Sequence, residues 1–304
     1  MLYASDVHPW LALGIAFVFG SLWGSFFNVA IHRWPMELSV VSPPSRCPHC
    51  GTRIPAFRNV PIFSFLLMRG KAPCCGASLT PRYLIVEIGG ALLCAAFARY
   101  FIVDAPPDTP LFDAALDTLI FFAFGGGLLI ATFTDLEEGI IPDEVSLTLT
   151  AVALVTATIR SVPDVADAAL GAGLGFLIIQ MPCVWAYERL RGRRGMGEGD
   201  SKLLMMIGAF LGWRAVLFSL LLGACQGVIA VGILLATGRS TDTRDSEAGE
   251  MQLEAAAHEE DPPPEHLGHM KVKFGPFLAL AALEYFFFGE FLIRNYLSLL
   301  GAGT

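Results

Sequence analysis

The amino-acid sequence predicts an all-α polytopic membrane protein with about eight transmembrane helices and a small cytoplasmic domain built around cysteines. The 304 residues are 54% hydrophobic and 16% charged, whereas about a quarter of the residues in a soluble domain are charged. The apolar residues are gathered in long runs, and about 20 apolar residues suffice for a helix to cross the bilayer. Four of the seven cysteines fall in a polar segment between the first two runs.

The spans follow from eight apolar runs. They cover residues 10–31, 84–103, 117–133, 145–160, 167–187, 203–211, 215–237 and 274–300. None of them alternates as a barrel strand does, and a helix satisfies its own backbone in lipid. The run at 203–211 is short, so it predicts either a short span or half of a broken pair, which leaves seven spans as an alternative.

The orientation follows from the basic residues. Segments 32–82, 188–202 and 238–273 hold 16 of the 20 Lys and Arg residues, and the positive-inside rule places such segments in the cytoplasm. The first run has no basic leader before it, so we expect a retained span rather than a cleaved signal peptide. We therefore expect a multi-pass protein of the bacterial inner membrane.

These patterns divide the chain into five parts. We expect a first transmembrane helix (1–31), a cytoplasmic cysteine-bearing domain (32–82), a transmembrane core (83–237), an acidic disordered cytoplasmic loop (238–270) and a last transmembrane helix (271–304). The net charge is −8, but nine of the 28 acidic residues lie between Asp242 and Glu265, and the rest of the chain is nearly neutral. We expect the bilayer, and no nucleic acid, as a partner. The acidic loop has few large apolar residues and cannot bury enough surface to fold.

The cysteine-bearing segment predicts a zinc-knuckle-like domain. Cys47 and Cys50 form a CxxC pair, and Cys74 and Cys75 follow 24 residues later. Cysteine pairs in a cytoplasmic segment favour a metal over a disulfide. A metal-free loop with reduced thiols is the alternative, and His49 is another possible ligand.

Two aspartates are candidates for acid–base chemistry. Asp135 ends the third run, and Asp200 precedes the sixth. Two crossings separate them, so both carboxylates return to the same membrane edge. Two close carboxylates share a proton, which lets one activate water while the other protonates a leaving group. Solvated helix ends, or an N-cap in the case of Asp200, are the ordinary explanations for such residues.

Seven motifs in order resemble the bacterial prepilin peptidases, which are type IV leader peptidases of the GxGD aspartic protease group. They are GlySerPhePheAsnValAlaIleHisArgTrpPro (24–35), AsnValProIlePheSerPhe (59–65) with ArgGlyLys (69–71), ProArgTyr (81–83) with Glu87, AspLeuGluGluGlyIleIleProAsp (135–143), GlyGluGlyAspSerLysLeuLeu (197–204), GlyAlaPheLeuGlyTrp (208–213) and PheGlyProPhe (274–277). The resemblance covers nearly the whole chain.

The resemblance implies that Asp135 and Asp200 are the catalytic pair and that the substrates are prepilins or pseudopilins of pilus or type II secretion machinery. It further implies methylation of the new N-terminus with S-adenosylmethionine, an activity associated with the cysteine-bearing domain. It also implies a second CxxC, which this chain lacks. Ala72 stands in place of the third cysteine and Cys75 matches the fourth, so we expect a structural zinc on Cys47, Cys50, Cys74 and Cys75.

The sequence also nominates substrate-binding residues. Glu137 and Glu138 lie in an acidic loop, 135–144, that holds no basic residue and would attract a basic leader. Gly197 and Gly199 would let a peptide backbone approach closely. An ion-coupled transporter and a non-catalytic assembly factor of a secretion system are the competing functions.

Overall fold

The computed structural model describes residues 2–42, 46–47, 49–53, 60–160, 163–192, 196–237 and 273–299. The expected disordered loop 238–270 lies outside the described residues, as do parts of the cysteine-bearing domain (43–45, 48 and 54–59). The described residues are helical apart from loops and three isolated β-bridges. The all-α prediction is therefore confirmed for this part of the chain.

Every apolar run coincides with a helix. The helices are α1 (Pro9–Arg33), α2 (Phe63–Leu67), α3 (Arg82–Ala98, continued by a π turn over Arg99–Val103), α4 (Leu111–Glu138), α5 (Asp143–Thr156), α6 (Val165–Ile179, continued by a π turn over Gln180–Ala186), α7 (Tyr187–Arg191), α8 (Glu198–Leu211), α9 (Trp213–Ala236) and α10 (Gly275–Leu299). Short α2 belongs to the cysteine-bearing domain and lies outside the apolar runs.

Within the described part of the chain, five segments are long and apolar enough to cross a membrane. They are Pro9–Met36, Arg82–Val103, Leu111–Glu138, Val165–Arg191 and Trp213–Leu234. Helices α5 and α8 have 14 residues each, which at 1.5 Å per residue gives about 21 Å against a bilayer core of about 30 Å. The chain is a membrane protein, and these helix lengths do not confirm the predicted count of eight spans.

Small residues let the helices pack closely. A Cβ added to Gly20 on α1 would lie 2.4 Å from the carbonyl oxygen of Gly90 on α3, and one added to Gly171 on α6 would lie 2.2 Å from that of Gly208 on α8. Contact of this kind is typical of membrane helices, since lipid gives no hydrophobic drive to associate. Helix α1 therefore packs closely against α3, and α6 against α8.

The centre of the molecule is aromatic. Phe97, Phe124 and Phe210 are fully buried, and the rings of Phe124 on α4 and Phe210 on α8 stack with centroids 4.6 Å apart. Arg160, just beyond α5, is buried against the Phe210 ring and donates to the Ala153 carbonyl oxygen at 2.9 Å. This packing fixes α4 and α8 relative to each other, and these are the helices that carry the two aspartates.

Candidate active site and cysteine cluster

Asp135 lies in the last turn of α4 and is buried, with 7% of its surface exposed. Helix α4 ends three residues later, where Gly139 adopts φ +69°. The backbone N–H of Gly275, at the start of α10, donates to Asp135 Oδ2 at 2.9 Å. The two residues are 140 positions apart in the chain. A Cβ on Gly275 would lie 2.7 Å from the same oxygen, so only glycine permits this contact.

Ile141 connects three segments of the site. It follows α4, is buried, and lies against both Gly199 and Gly275. A Cβ on Gly199 would be 2.9 Å from Ile141 Cβ, and one on Gly275 would be 3.2 Å from its Cδ1. The first turn of α8, the end of α4 and the start of α10 therefore meet around one side chain.

Asp200 lies in the first turn of α8, before the apolar run 203–211. Burial, and then the nearby negative charge of Asp135, raise the pKa of Asp200 to about 7. The next residue, Ser201, is fully buried and donates to Gln180 Oε1 at 2.9 Å, which fixes this turn against the π turn after α6. The structure thus brings the two predicted aspartates into one site, where the charge of Asp135 acts on Asp200.

This arrangement suits proton transfer. A carboxylic acid whose pKa lies near neutral pH can donate a proton, while a neighbouring carboxylate can accept one from water. The site lies where the C-terminal end of α4 meets the N-terminal ends of α8 and α10. It is equally compatible with proton binding alone, so the geometry defines the acid–base chemistry and not the substrate.

Basic residues from other segments partly neutralise the acidic loop 135–144. Arg82 at the start of α3 forms an ion pair with Glu137. Lys202 on α8 forms one with Asp143, with Nζ 2.6 Å from Oδ1. A third cation, Lys273, donates to the Leu136 carbonyl oxygen at 2.7 Å. These cations come from three distant segments, which the local sequence could not indicate.

The other three predicted substrate-binding residues, Glu138, Gly197 and Gly199, lie near the aspartates and differ in exposure and contacts. Glu138 is exposed at the end of α4. Gly197 is the N-cap of α8, and a Cβ there would meet nothing closer than Asp200 Oδ2 at 3.8 Å. The close approach at Gly199 is to Ile141 of the same chain, so this glycine is accounted for by internal packing.

The four predicted metal ligands form one cluster. The thiol sulfurs of Cys47, Cys50, Cys74 and Cys75 all lie within 4.8 Å of one another. Cys47 Sγ is 3.8 Å from Cys75 Sγ, and Cys50 Sγ is 3.2 Å from Cys74 Sγ. Zinc–sulfur bonds of about 2.3 Å in a tetrahedron place sulfurs about 3.8 Å apart. The four thiols therefore fit a tetrahedral zinc, although His49 also lies within the first knuckle.

The two halves of the cluster are related turns. A bridge between Arg46 and Arg53 closes the first, and one between Lys71 and Ser78 closes the second. The Cys47 N–H donates to the Thr52 carbonyl oxygen at 2.9 Å, and the Ala72 N–H donates to that of Ala77 at 2.8 Å.

This equivalence identifies the missing cysteine. Ala72 takes the position of Cys47, and Cys75 takes that of Cys50. The glycines that follow, Gly51 and Gly76, both have left-handed φ, at +69° and +73°. Cys74 supplies the fourth sulfur from a position that has no cysteine in the first turn. This explains how adjacent cysteines complete a four-thiol cluster.

Sequence reasoning missed three contributors to the aspartate site: Gly275, Ile141 and Lys273. Gly275 was part of a motif assigned only to the start of the last span. Its role depends on the return of the chain after the 238–272 segment, which no local pattern predicts. The contacts of Ile141 and Lys273 are likewise tertiary.

Comparison with known proteins agrees with this organisation. Residues 18–101 match the bacterial peptidase A24 N-terminal domain, and residues 118–232 match the type IV leader peptidase family. The chain is 31% identical to a prepilin leader peptidase/N-methyltransferase of Aeromonas hydrophila over 95% of each chain. It is also 31% identical to one of Myxococcus xanthus over 91% of this chain and 90% of that protein.

A third relative, from Klebsiella pneumoniae and of the same name, is 34% identical over 71% of this chain and 92% of its own. No solved structure matches the chain significantly. The two matched regions contain the cysteine cluster and the aspartate pair respectively, so the chain belongs to the type IV leader peptidase family.

Proposed function

We propose that this protein is an aspartic endopeptidase that removes the basic leader from prepilins or pseudopilins, with Asp135 and Asp200 as its catalytic pair. One observation carries the proposal: two aspartates lie together at the C-terminal end of α4 and the N-terminal end of α8, where burial, and then the charge of Asp135, raise the pKa of Asp200 to about 7. The relatives named prepilin leader peptidase supply the substrate class.

The reaction needs one carboxylate and one carboxylic acid. The carboxylate takes a proton from water, whose oxygen forms a bond to the scissile carbonyl carbon. The acid hydrogen-bonds the carbonyl oxygen and then protonates the leaving nitrogen as the C–N bond breaks. The Gly275 N–H donates to Asp135 and so orients that carboxylate. Because the Gly275 N–H stabilises the ionised form of Asp135, and burial and the charge of Asp135 raise the pKa of Asp200, we assign the base to Asp135 and the acid to Asp200.

We place the site at the cytoplasmic face of the bacterial inner membrane. The positive-inside distribution and eight crossings, with α5 and α8 as short spans, support this orientation. Prepilins anchored in the same bilayer would present their cleavage site at that edge. Pilus and type II secretion machinery are the expected partners.

The test is cleavage of a purified prepilin by the full-length protein in lipid vesicles. Asp135→Asn and Asp200→Asn keep the size of each side chain and remove its ionisable group. Each change should lower the cleavage rate by at least about 100-fold, the range of general acid–base catalysis. Asp104→Asn is the matched control. Asp104 follows the C-terminal end of α3, away from the aspartate site, and its Oδ1 lies 2.8 Å from Arg99 Nη1. It should cleave within about twofold of the wild type.

Cleavage that survives either active-site change, with folding intact, would contradict the catalytic pair. An ion-coupled transporter or a non-catalytic assembly factor would then be the better description of the same fold.

We infer a second activity, methylation of the amino group that cleavage exposes, from the names of the relatives and from the separate cysteine-bearing domain. S-adenosylmethionine, when bound, would supply the methyl group to that amine. In this chain, zinc on Cys47, Cys50, Cys74 and Cys75 would serve as a structural ion that holds the domain together.

A further inference from the structure

Helix α2 of the cysteine-bearing domain carries apolar side chains on both of its faces. Phe65 packs inward, and a Cβ on Gly70 would lie 3.3 Å from its Cζ. Phe63, Leu66 and Leu67 lie on the other face at helical spacing, and 62%, 58% and 69% of their surfaces are exposed. A helix without a polar face is usually buried in protein or in a membrane. The exposed face of α2 therefore indicates an interaction surface.

A hydrogen bond fixes the start of α2 at the membrane edge. The Ile62 N–H, just before α2, donates to Glu87 Oε2 at 2.7 Å. Glu87 lies in the second turn of α3, inside the span Arg82–Val103. Its Cα packs against the span Pro9–Met36, since a Cβ on Gly24 would be 2.7 Å from it. Helical side chains tilt towards the N-terminus of their helix, so Glu87 holds Ile62 at the level of the first turn of α3.

The other end of α2 is tied to the same edge. The Leu79 N–H donates to the Gly70 carbonyl oxygen at 2.7 Å, and α3 begins three residues later at Arg82. Two exposed basic residues, Arg69 and Lys71, follow α2 within four positions. Basic side chains beside an apolar helical face are typical of helices that lie in the membrane interface, where they meet anionic headgroups.

The backbone that enters α2 suits an environment with little water. The Val60 N–H donates to Ser64 Oγ at 3.0 Å, and the Ser64 N–H donates to the Val60 carbonyl oxygen at 3.0 Å. Pro61 has no N–H, and the Ile62 N–H is bound to Glu87. These donors are thus satisfied within the protein, as lipid requires, because acyl chains offer no acceptor to a free N–H.

We propose that α2 is an interfacial helix, with Phe63, Leu66 and Leu67 among the acyl chains and Arg69 and Lys71 at the headgroups of the leaflet where α3 begins. The bilayer is the occupant that the position of α2 favours, because both ends of this helix are bound to the membrane edge of α3.

This anchor goes beyond the proposed peptidase and methylation activities and does not depend on them. It places part of segment 32–82 in the bilayer rather than in the cytoplasm. It also holds the cysteine-bearing domain at the edge where Arg82 pairs with Glu137, and so beside the end of α4 that carries Asp135.

The experiment uses the full-length protein in phosphatidylcholine–phosphatidylglycerol vesicles that contain a phospholipid with a diazirine in its acyl chain. Ultraviolet light converts the diazirine to a carbene, which inserts into the side chains that touch it. Trypsin then releases peptide 59–69, which contains α2, and peptide 72–82, which has the same length and comes from the same domain. Peptide 215–239, from the apolar span of α9, is the reference for full lipid contact. Mass spectrometry measures the labelled fraction of each.

The labelled fraction of peptide 59–69 should lie within about fivefold of that of 215–239 and at least about tenfold above that of 72–82, because α2 reaches the acyl chains. Within peptide 59–69 the label should fall on Phe63, Leu66 or Leu67. Equal labelling of peptides 59–69 and 72–82, or a label on Phe65 alone, would overturn the proposal and assign the exposed face to a protein partner.

A charge placed on the exposed face tests the same contact. Leu67→Glu should lower the labelled fraction of peptide 59–69 at least about threefold and leave that of 215–239 unchanged, because a carboxylate is costly among acyl chains. Leu190→Glu is the matched control, since it makes the same change at an exposed leucine of α7. It should leave the labelling of peptide 59–69 within about twofold of the wild type. A folded Leu67→Glu protein labelled like the wild type would contradict the insertion of this face, and the wild-type labelling decides the matter if that variant does not fold.

Discussion

The aspartate site and the cysteine cluster are built on opposite principles. Asp135 and Asp200 sit on helices whose inner faces are fully buried, with Leu203, Met206 and Ile207 of α8 at 0% exposure. Among the described residues between Arg46 and Pro81, only Cys47 and Ala72 are buried. Helix packing therefore fixes the geometry of the aspartate site. The cysteine cluster has almost no hydrophobic core that could fix its geometry. The peptidase half should therefore tolerate loss of the metal, and the cysteine-bearing half should not.

The same contrast explains why the two sites tolerate different changes. The aspartate site depends on single atoms at fixed positions, such as the Gly275 N–H on Asp135 Oδ2. The cluster depends on four sulfurs within reach of one ion, so a ligand can come from another position of the turn. Replacement of the third cysteine by Cys74 is an instance of this freedom.

We expect the largest effect from removal of the Cys74 thiol, the fourth sulfur of the cluster. Cys74→Ser should reduce bound zinc from about one ion per chain to a small fraction and should lower methylation at least about tenfold, because three thiols leave the tetrahedron incomplete. Cleavage should change less than about threefold, since packing sets the aspartate geometry. The measurements are the zinc content by mass spectrometry and the cleavage and methylation rates of the same preparation.

A double variant sharpens that test. Ala72→Cys in the Cys74→Ser background should restore zinc, because Ala72 occupies the place that Cys47 has in the first turn. Cys225→Ser, on α9, is the control for removal of an exposed thiol. Zinc retained by Cys74→Ser, or not restored by the double variant, would show that the two turns are not equivalent.

The next largest effect is that cleavage and methylation should depend on pH in opposite directions. With its pKa raised to about 7, Asp200 keeps its proton in acidic solution and loses it as the pH rises through neutrality. Above about pH 7 both aspartates are ionised, so cleavage should fall about tenfold per pH unit. Methylation needs a neutral amine, with an ordinary pKa of about 7.7–8.0, and should rise over the same interval. A cleavage rate that stays level to about pH 9 would contradict the shared-proton mechanism.

The smallest effect concerns docking of the leader. Glu137 is already paired with Arg82, whereas Glu138 is exposed at the same helix end. Glu138→Lys should raise KM for a basic-leader prepilin about threefold at low salt, with kcat unchanged, because long-range attraction is weakened. Asp113→Lys makes the same charge change in the first turn of α4, at the other end of that helix, and should leave KM alone. An unchanged KM and salt dependence for Glu138→Lys would assign this residue to the solvated surface.

Composition and periodicity alone determined that this is a helical membrane protein, because long apolar runs have one stable solution in lipid. The order of motifs located Asp135, Asp200 and the cysteines, because these are local patterns. The sequence also predicted Cys74 as a ligand beside Ala72, whereas only the tertiary structure decided that Gly275 reaches Asp135 and that Arg82 and Lys202 pair with the acidic loop. Each of these contacts joins segments distant in the chain, and such contacts depend on how helices pack rather than on any local preference of the sequence.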